Sequence, residues 1–415
     1  MHFQLVGKNA IPCRATCLSA HVGRETESVQ PMTRIPEMMT RWAILVLMAA
    51  AVLLNGCASS LEGAPCPCVS GYCCWDDVCR PERECHVNIA FVPKASDNPV
   101  FRVAFEGARQ AASKLTSAGG PSVTVNCWSP PHLSSAEQGA AVVQAIESRP
   151  NGLIVSCLEP NVISPAIDDA VARGIPVITY DSDCPHSKRL GFYGMNNYES
   201  GRVAADRLVK AIDPAEDGEQ KTVAIITGGS AENLTQRLAG FTARLAELNK
   251  WPNRHNAEVI TILSCNETAE ECGGVIDALA HEHPELDGLF ITGLWGLQAA
   301  CSCDPDTGLS CTCDDGQMSN WKNAAGHGKL KTVSYDSLPF ELTLMQSGYL
   351  SALISQEYFN WGYETVMLMF EHLTQGRPVE DFVDSGFKVY PTDPGPTLFE
   401  WQAGEFGPEL KCTAP

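Results

Sequence analysis

Carboxylates and amides punctuate this sequence at the ends of apolar runs. Ile175–Tyr180, reading IPVITY, opens directly into Asp181-Ser182-Asp183, and TVSY leads into Asp336 in the same way. Gln356 closes LSALISQ, and Asn196-Asn197 follow the short run Gly191–Met195. An ionised carboxylate only accepts hydrogen bonds, whereas a carboxamide gives and takes them, so the mixture suits a polar, uncharged ligand carrying hydroxyls. Asp181 and Asp336 could also be the acid and base of a glycoside hydrolase, which needs two carboxyls roughly 5–10 Å apart. No G-x-S-x-G, zinc-helix or P-loop pattern occurs in the chain, so other hydrolytic or nucleotide chemistry finds no support.

Three further stretches carry usable groups. The loop VPKASDNPVF holds Lys94, Asn98 and Phe101, a cation, an amide and a ring that can lie against the C–H face of a sugar. Asn233 and Arg237 are four apart and share one face of a helix, where the Arg fork can bridge two oxygens or hold a carboxylate. Arg237 could equally pair with Glu232 or Asp336 as a structural ion pair. Trp295 follows Gly293-Leu294, and it reads either as a stacking wall or as a core residue.

Short β-branched runs alternate with amphipathic stretches and must position these groups. Val87–Val92, Ser122–Cys127, Gly152–Cys157 and Ile175–Tyr180 read as strands, separated by helices over Phe101–Ser117, Ser135–Ser148 and Val162–Arg173. Tyr198–Lys210 reads as a helix. A second set follows: strands at Thr222–Thr227, Glu258–Ile262, Gly288–Thr292, Thr332–Tyr335 and Leu350–Ser355, and helices at Leu234–Asn249, Ala269–His281 and Tyr358–Gln375. Such alternation predicts two α/β lobes, each a doubly wound parallel sheet, with ligands outside the carboxyl ends of the strands.

At these residues the chain resembles the periplasmic sugar-binding proteins of the ribose-binding branch, whose fold is shared with LacI-type regulators. The likeness covers about Val87 to Phe387. It is carried by Val177–Asp181 (V-I-x-x-D), Met195–Gly201, the V-P-K…N-P-x-F loop, Asn233–Phe241 (N-L-x-x-R-x-x-G-F), Tyr335-Asp336 and Gln356. The resemblance implies a hinged clamshell of the type I periplasmic binding class, with crossings near Asn196, near Gln356 and after Phe387. It implies a ligand set of Lys94, Asn98, Phe101, Asp181, Asp183, Asn197, Asn233, Arg237, Trp295, Asp336 and Gln356. Asn98-Pro99 also fits a simple helix-opening turn. The chain departs from the family at Val100, where relatives often have an aromatic, at Thr235, where some have Arg, and at Gly293, where the ribose type has Asn. The CSC…CTC insertion at 301–313 is absent from the family.

Length and charge bound the rest. The 415 residues leave room for two lobes plus extras, and a net charge of −20 argues against nucleic acid as a partner. Nineteen cysteines point to an oxidising compartment. Arg41, the apolar run Ala43–Leu54 and Leu54-Asn55-Gly56-Cys57 read as a lipoprotein signal peptide that makes Cys57 the acylated first residue; an uncleaved anchor helix is the alternative. Met38 or Met39 is then the expected start. Cys66, Cys68, Cys73, Cys74, Cys79 and Cys85 read as a disulfide-stapled tether, with a metal cluster as rival. Cys301-Ser-Cys303 and Cys311-Thr-Cys313 are mirror-symmetric and predict Cys303–Cys311 and Cys301–Cys313 bridges, while Asp304, Asp306 and Asp314 between and beside them could hold calcium. Cys157 and Cys184 read as a bridged pair or as reactive thiols near the cleft.

The resulting expectation is a leader and signal peptide over 1–57, a tether over 58–85, a first lobe of 86–195 plus 357–386, and a second lobe of 196–356 plus 387–415. Its function is expected to be capture of a sugar or polyol, without cofactor, metal or catalysis. The protein would be an exported, lipid-anchored monomer that delivers its ligand to the permease of an ABC importer. A sensory module docking a chemoreceptor or kinase is the first alternative, and a glycan hydrolase the second.

Overall fold

The computed structural model describes residues 72–75, 78–81, 85–213, 219–250, 255–303, 311–313, 317–391 and 412. The leader, Cys57, most of the cysteine-rich tether and Asp304, Asp306 and Asp314 lie outside the described residues.

An antiparallel hairpin, β1 (Tyr72–Trp75) and β2 (Val78–Pro81), precedes the lobes and sets Cys74 opposite Cys79. The first lobe then runs β3 (His86–Val92), α1 (Pro99–Ser117), β4 (Ser122–Cys127), α2 (Ser135–Glu147), β5 (Gly152–Val155), α3 (Pro160–Ala172), β6 (Val177–Tyr180) and β7 (Gly191–Gly194). The second lobe opens with α4 (Asn197–Ile212), β8 (Gln220–Thr227), α5 (Glu232–Leu248), β9 (Asn256–Ser264), α6 (Ala269–Glu282) and β10 (Gly288–Ile291). It continues through α7 (Trp295–Gln298), the hairpin β11 (Ser302–Cys303) and β12 (Cys311–Thr312), α8 (Ser319–Gly326), β13 (Lys331–Tyr335), α9 (Pro339–Gln346) and β14 (Ala352–Ser355). Helix α10 (Tyr358–Gln375) and β15 (Phe382–Asp384) return to the first lobe, and β16 (Lys388–Tyr390) belongs to the second.

Each lobe is a six-stranded sheet, ordered β15-β7-β6-β5-β3-β4 in the first and β16-β14-β13-β10-β8-β9 in the second. All neighbours are parallel except β16, which runs antiparallel to β14. The central strands GLIV, VITY and GLFI are buried along their whole length, as strands covered by helices on both faces must be. The chain crosses between lobes at Met195-Asn196, at Gln356-Glu357 and at Ser385–Phe387, the last slightly ahead of the position expected after Phe387.

Among the described residues, five disulfides have both cysteines in view. Cys303–Cys311 and Cys301–Cys313 lace the β11–β12 hairpin in the pairing its mirror spacing predicts. Cys157–Cys184 ties the loops after β5 and β6, and Cys265–Cys272 ties the loop after β9 to the first turn of α6. Cys127–Cys412 returns the C-terminal tail, counted in sequence with the second lobe, to the edge strand of the first.

The two hinge helices seat alike. A Cβ at Gly240 would strike the Tyr198 carbonyl and one at Gly201 the Arg237 carbonyl, so α4 and α5 touch backbone to backbone. A Cβ at Gly362 would strike the Ala104 carbonyl and one at Gly107 the Phe359 carbonyl, which repeats the contact between α10 and α1. In an open helix Gly→Ala stabilises by about 1 kcal/mol; here overpacking costs about 1–3 kcal/mol and should win. Urea unfolding should therefore find Gly240→Ala and Gly362→Ala less stable than wild type. Gly274→Ala, on a helical position with open space around it, should be more stable.

Candidate functional site

The strand-end aspartates lie one in each lobe and both are buried, each 4% exposed. Both adopt positive φ, +59° at Asp181 and +78° at Asp336, a left-handed turn that Asp tolerates better than most residues. That turn breaks the strand and lets each carboxylate face the lobe boundary. In the first lobe Lys94 Nζ lies 3.1 Å from Asp181 Oδ2, and the Ser156 hydroxyl donates to the same oxygen at 2.7 Å. Asn233 of the second lobe donates from Nδ2 to Asp181 Oδ1 at 3.3 Å, so the two lobes meet at this residue. In the second lobe Gln356 donates to Asp336 Oδ1 at 2.7 Å, and the Tyr358 hydroxyl, from the hinge helix of the first lobe, donates to the same oxygen at 2.9 Å.

Arg237 binds these parts together. Its guanidinium donates to Asn197 Oδ1 (2.9 Å), the Thr292 carbonyl (2.9 Å) and Gln356 Oε1 (2.7 Å), and stacks 3.9 Å from the centre of the Tyr335 ring. All its arms are therefore occupied by protein, and neither Glu232 nor Asp336 is its hydrogen-bond partner; Glu232 accepts from Gln236 instead. Asn197 likewise faces inward, accepting from Arg237 and donating to the Met195 carbonyl.

The remaining sequence-derived residues divide. Asp183 accepts the Arg189 fork at 2.6 Å on each oxygen and also the Thr179 hydroxyl and the Cys184 N–H. It thus pins its own turn, and it also lines a cavity of about 280 Å³ between the lobes beside Arg189, Phe192, Asn197, Asn233 and Phe382. Asn98 caps α1, accepting the Val100 N–H, with Pro99 in the first turn. Phe101 is 2% exposed and packs against Tyr180 and Trp361. Trp295 is 8% exposed, its ring folded over Gly293 in the space where a Cβ would sit.

Sequence reasoning missed Ser156, Tyr358 and Glu341. Glu341 is fully buried near the start of α9; one oxygen accepts the Leu338 N–H at 2.9 Å and the other has no partner among the described residues. Burial, with the Asp336 charge adding to it, pushes this carboxyl well above the ordinary range, against the Leu338 hydrogen bond. Burial also raises Asp336; Arg237, Gln356 and Tyr358 oppose the rise, and the Asp181 charge across the boundary adds to it. The Tyr335 phenol is pushed up to about 12 by burial, with Arg237 and Ser200 opposing. Ser182 Oγ, Tyr180 OH and Trp361 Nε1 are buried polar atoms without a partner among the described residues.

Folded Glu341 thus keeps its proton where the unfolded chain has released it. Its contribution to stability is full below the ordinary glutamate range and declines as pH rises toward its raised folded value. Urea titrations between about pH 5 and about pH 8 should show Glu341→Gln gaining on wild type as pH rises. A pH-independent difference would mean that Glu341 is ionised in the fold.

Comparison with known proteins agrees with this architecture. A family model described as a periplasmic binding protein domain matches residues 89–378. The xylose/arabinose-binding protein XylF of Sulfolobus acidocaldarius is 23% identical over 255 residues, covering 59% of this chain and 57% of that protein. The D-ribose/D-allose-binding protein of Pseudomonas aeruginosa is 24% identical over 322 residues, covering 74% and 85%. Among solved structures, an ABC transporter solute-binding protein from Burkholderia graminis, in complex with D-arabinose, superposes with a TM-score of 0.61 at 25% identity over 73% of this chain and 94% of that one.

Proposed function

We propose that this chain, which belongs to the periplasmic binding protein family, captures a neutral sugar or polyol between its lobes and presents the closed form to the permease of an ABC importer. The observation that carries this reading is the pair of buried strand-end aspartates, one per lobe, each already hydrogen-bonded to a residue of the opposite lobe. In this reading Asp181 and Asp336 accept hydrogen bonds from ligand hydroxyls, while Lys94, Asn98, Asn233 and Gln356 supply donors. Trp295 and Phe101 offer ring surface to the C–H face of the ligand. Arg237, Asn197 and Asp183 hold the contacting groups in place. Lys94 is matched by Asp181, and Arg237 has every arm occupied, so neither cation is left to take an acidic sugar. Ligand touches both lobes only when they are shut, and that difference in affinity drives the population toward the closed form. The chain is then a binding protein rather than an enzyme, works as a monomer and acts on the outer side of a membrane.

A thermal-shift screen should include D-ribose, D-allose, D-arabinose, D-xylose and common polyols. A tight ligand stabilises the fold by roughly 3–4 kcal/mol at 100–1,000 times its Kd. Asp181→Ala and Asp336→Ala each remove a charged acceptor worth about 1.5–3 kcal/mol, so calorimetry should find affinity roughly ten- to a hundredfold weaker in folded protein. Binding within twofold of wild type in both variants would dismiss the carboxylates as the ligand clamp.

The anchor is proposed from Leu54-Asn55-Gly56-Cys57. Intact mass of membrane-extracted protein should show Cys57 as the acylated N-terminus, and Cys57→Ser should abolish the adduct and release the protein from membranes. Unchanged membrane retention of Cys57→Ser would sink the idea.

A further inference from the structure

The loops that carry Lys94, Ser156 and Asp181 are cross-braced from beneath. Gln138, on α2 and 0% exposed, donates from Nε2 to the Pro93 carbonyl at 3.0 Å and to the Ser156 carbonyl at 2.7 Å. Its Oε1 accepts the Leu158 N–H at 3.0 Å. One buried amide thus fixes the loop after β3 to the loop after β5. The loop after β6 is joined to the same frame covalently, by Cys157–Cys184, both cysteines 0% exposed. Alongside the bridge the Cys157 N–H donates to the Ser182 carbonyl at 3.0 Å, and Asp183 accepts the Cys184 N–H at 2.8 Å. Asp181, at positive φ, immediately precedes these fixed points.

From this arrangement we infer that Cys157–Cys184 and Gln138 are positioning elements for ligand capture, which hold Asp181, Ser156 and Lys94 in their binding geometry before ligand arrives. The inference rests on the sugar-binding reading. The physical need is plain. A four-residue turn through left-handed backbone, ending a strand and facing a buried cation, would otherwise sample many arrangements. Ligand would then meet the entropy of ordering it, about 0.5–1.5 kcal/mol for each side chain immobilised. A covalent link between the loops removes that cost from the binding step. Neither cysteine needs to touch the ligand, and the arrangement makes affinity depend on the oxidation state of the pair.

The test uses the full chain as wild type, Cys157→Ser/Cys184→Ser, the volume-filling Cys157→Val/Cys184→Ala in case the first fails to fold, and Cys265→Ser/Cys272→Ser as a comparator. The probe is whichever of D-ribose, D-arabinose and D-xylose wild type binds best. Loss of the 157–184 bridge should weaken affinity roughly tenfold or more, whereas loss of the 265–272 bridge should lower thermal stability and leave affinity within twofold. Hydrogen exchange should speed up at the amides of 156–158 and 181–184 in the first variants while the strands stay protected. Affinity held within twofold, or unchanged exchange at those amides, overturns the positioning role. If neither these three sugars nor D-allose nor the polyols of the thermal-shift screen bind wild type, the sugar reading fails, and the exchange measurement still decides whether the bridge orders the Asp181 turn.

Discussion

The structure turns on a guanidinium taken out of water. Burying an ion costs several kcal/mol unless every donor is met, and Arg237, 2% exposed, meets its cost with partners drawn from four separate stretches. Asn197 begins the helix after the first crossing, Gln356 ends the strand before the second, Thr292 closes β10 and Tyr335 immediately precedes Asp336. Both crossings are therefore referenced to one cation that also sets the electrostatics of the site. The glycine contact between α4 and α5 is what lets that cation reach Asn197, since a wider helix spacing would carry the fork out of range.

Three carboxyls, Asp181, Asp336 and Glu341, gather about two cations, Lys94 and Arg237. Full ionisation would leave an uncompensated negative charge in a buried space, and burial first, with the Asp336 charge adding to it, holds the Glu341 carboxyl well above the ordinary range. The result is a nearly neutral interior whose polar groups are largely pre-aimed. On the function proposed above, an interior of that kind would select by the pattern of hydrogen bonds a solute offers, since its charges have already been matched from within.

Most of the sheet architecture was legible in the sequence, because GLIV, VITY and GLFI admit few alternatives once helical periods flank them. The strands Phe382–Asp384 and Lys388–Tyr390 were not, since three residues carry no period and their pairing is supplied by neighbours far away in sequence. Helices α8 and α9 escaped for a similar reason: each is short, and PFELTLMQ is apolar on too many sides to show a face. At the site, strand ends identified Asp181 and Asp336, yet no spacing rule could separate Asp181 from Asp183. The difference between them is set by Arg189, which claims both oxygens of Asp183. Glu341 gave no signal because nothing local distinguishes a buried Glu in a short apolar stretch from a solvated one.

The bond between Cys127 and Cys412 changes the topology of the molecule. With 285 residues of separation it closes a covalent ring that holds all three crossings, the second lobe and the first lobe from α2 onward, while β3 and α1 lie outside it. A protease that cuts a single exposed loop inside that ring produces a nick and not a fragment: the two pieces remain one molecule. Wherever reducing agents are scarce, the ring turns what would be loss of a lobe into a scar that the fold can carry.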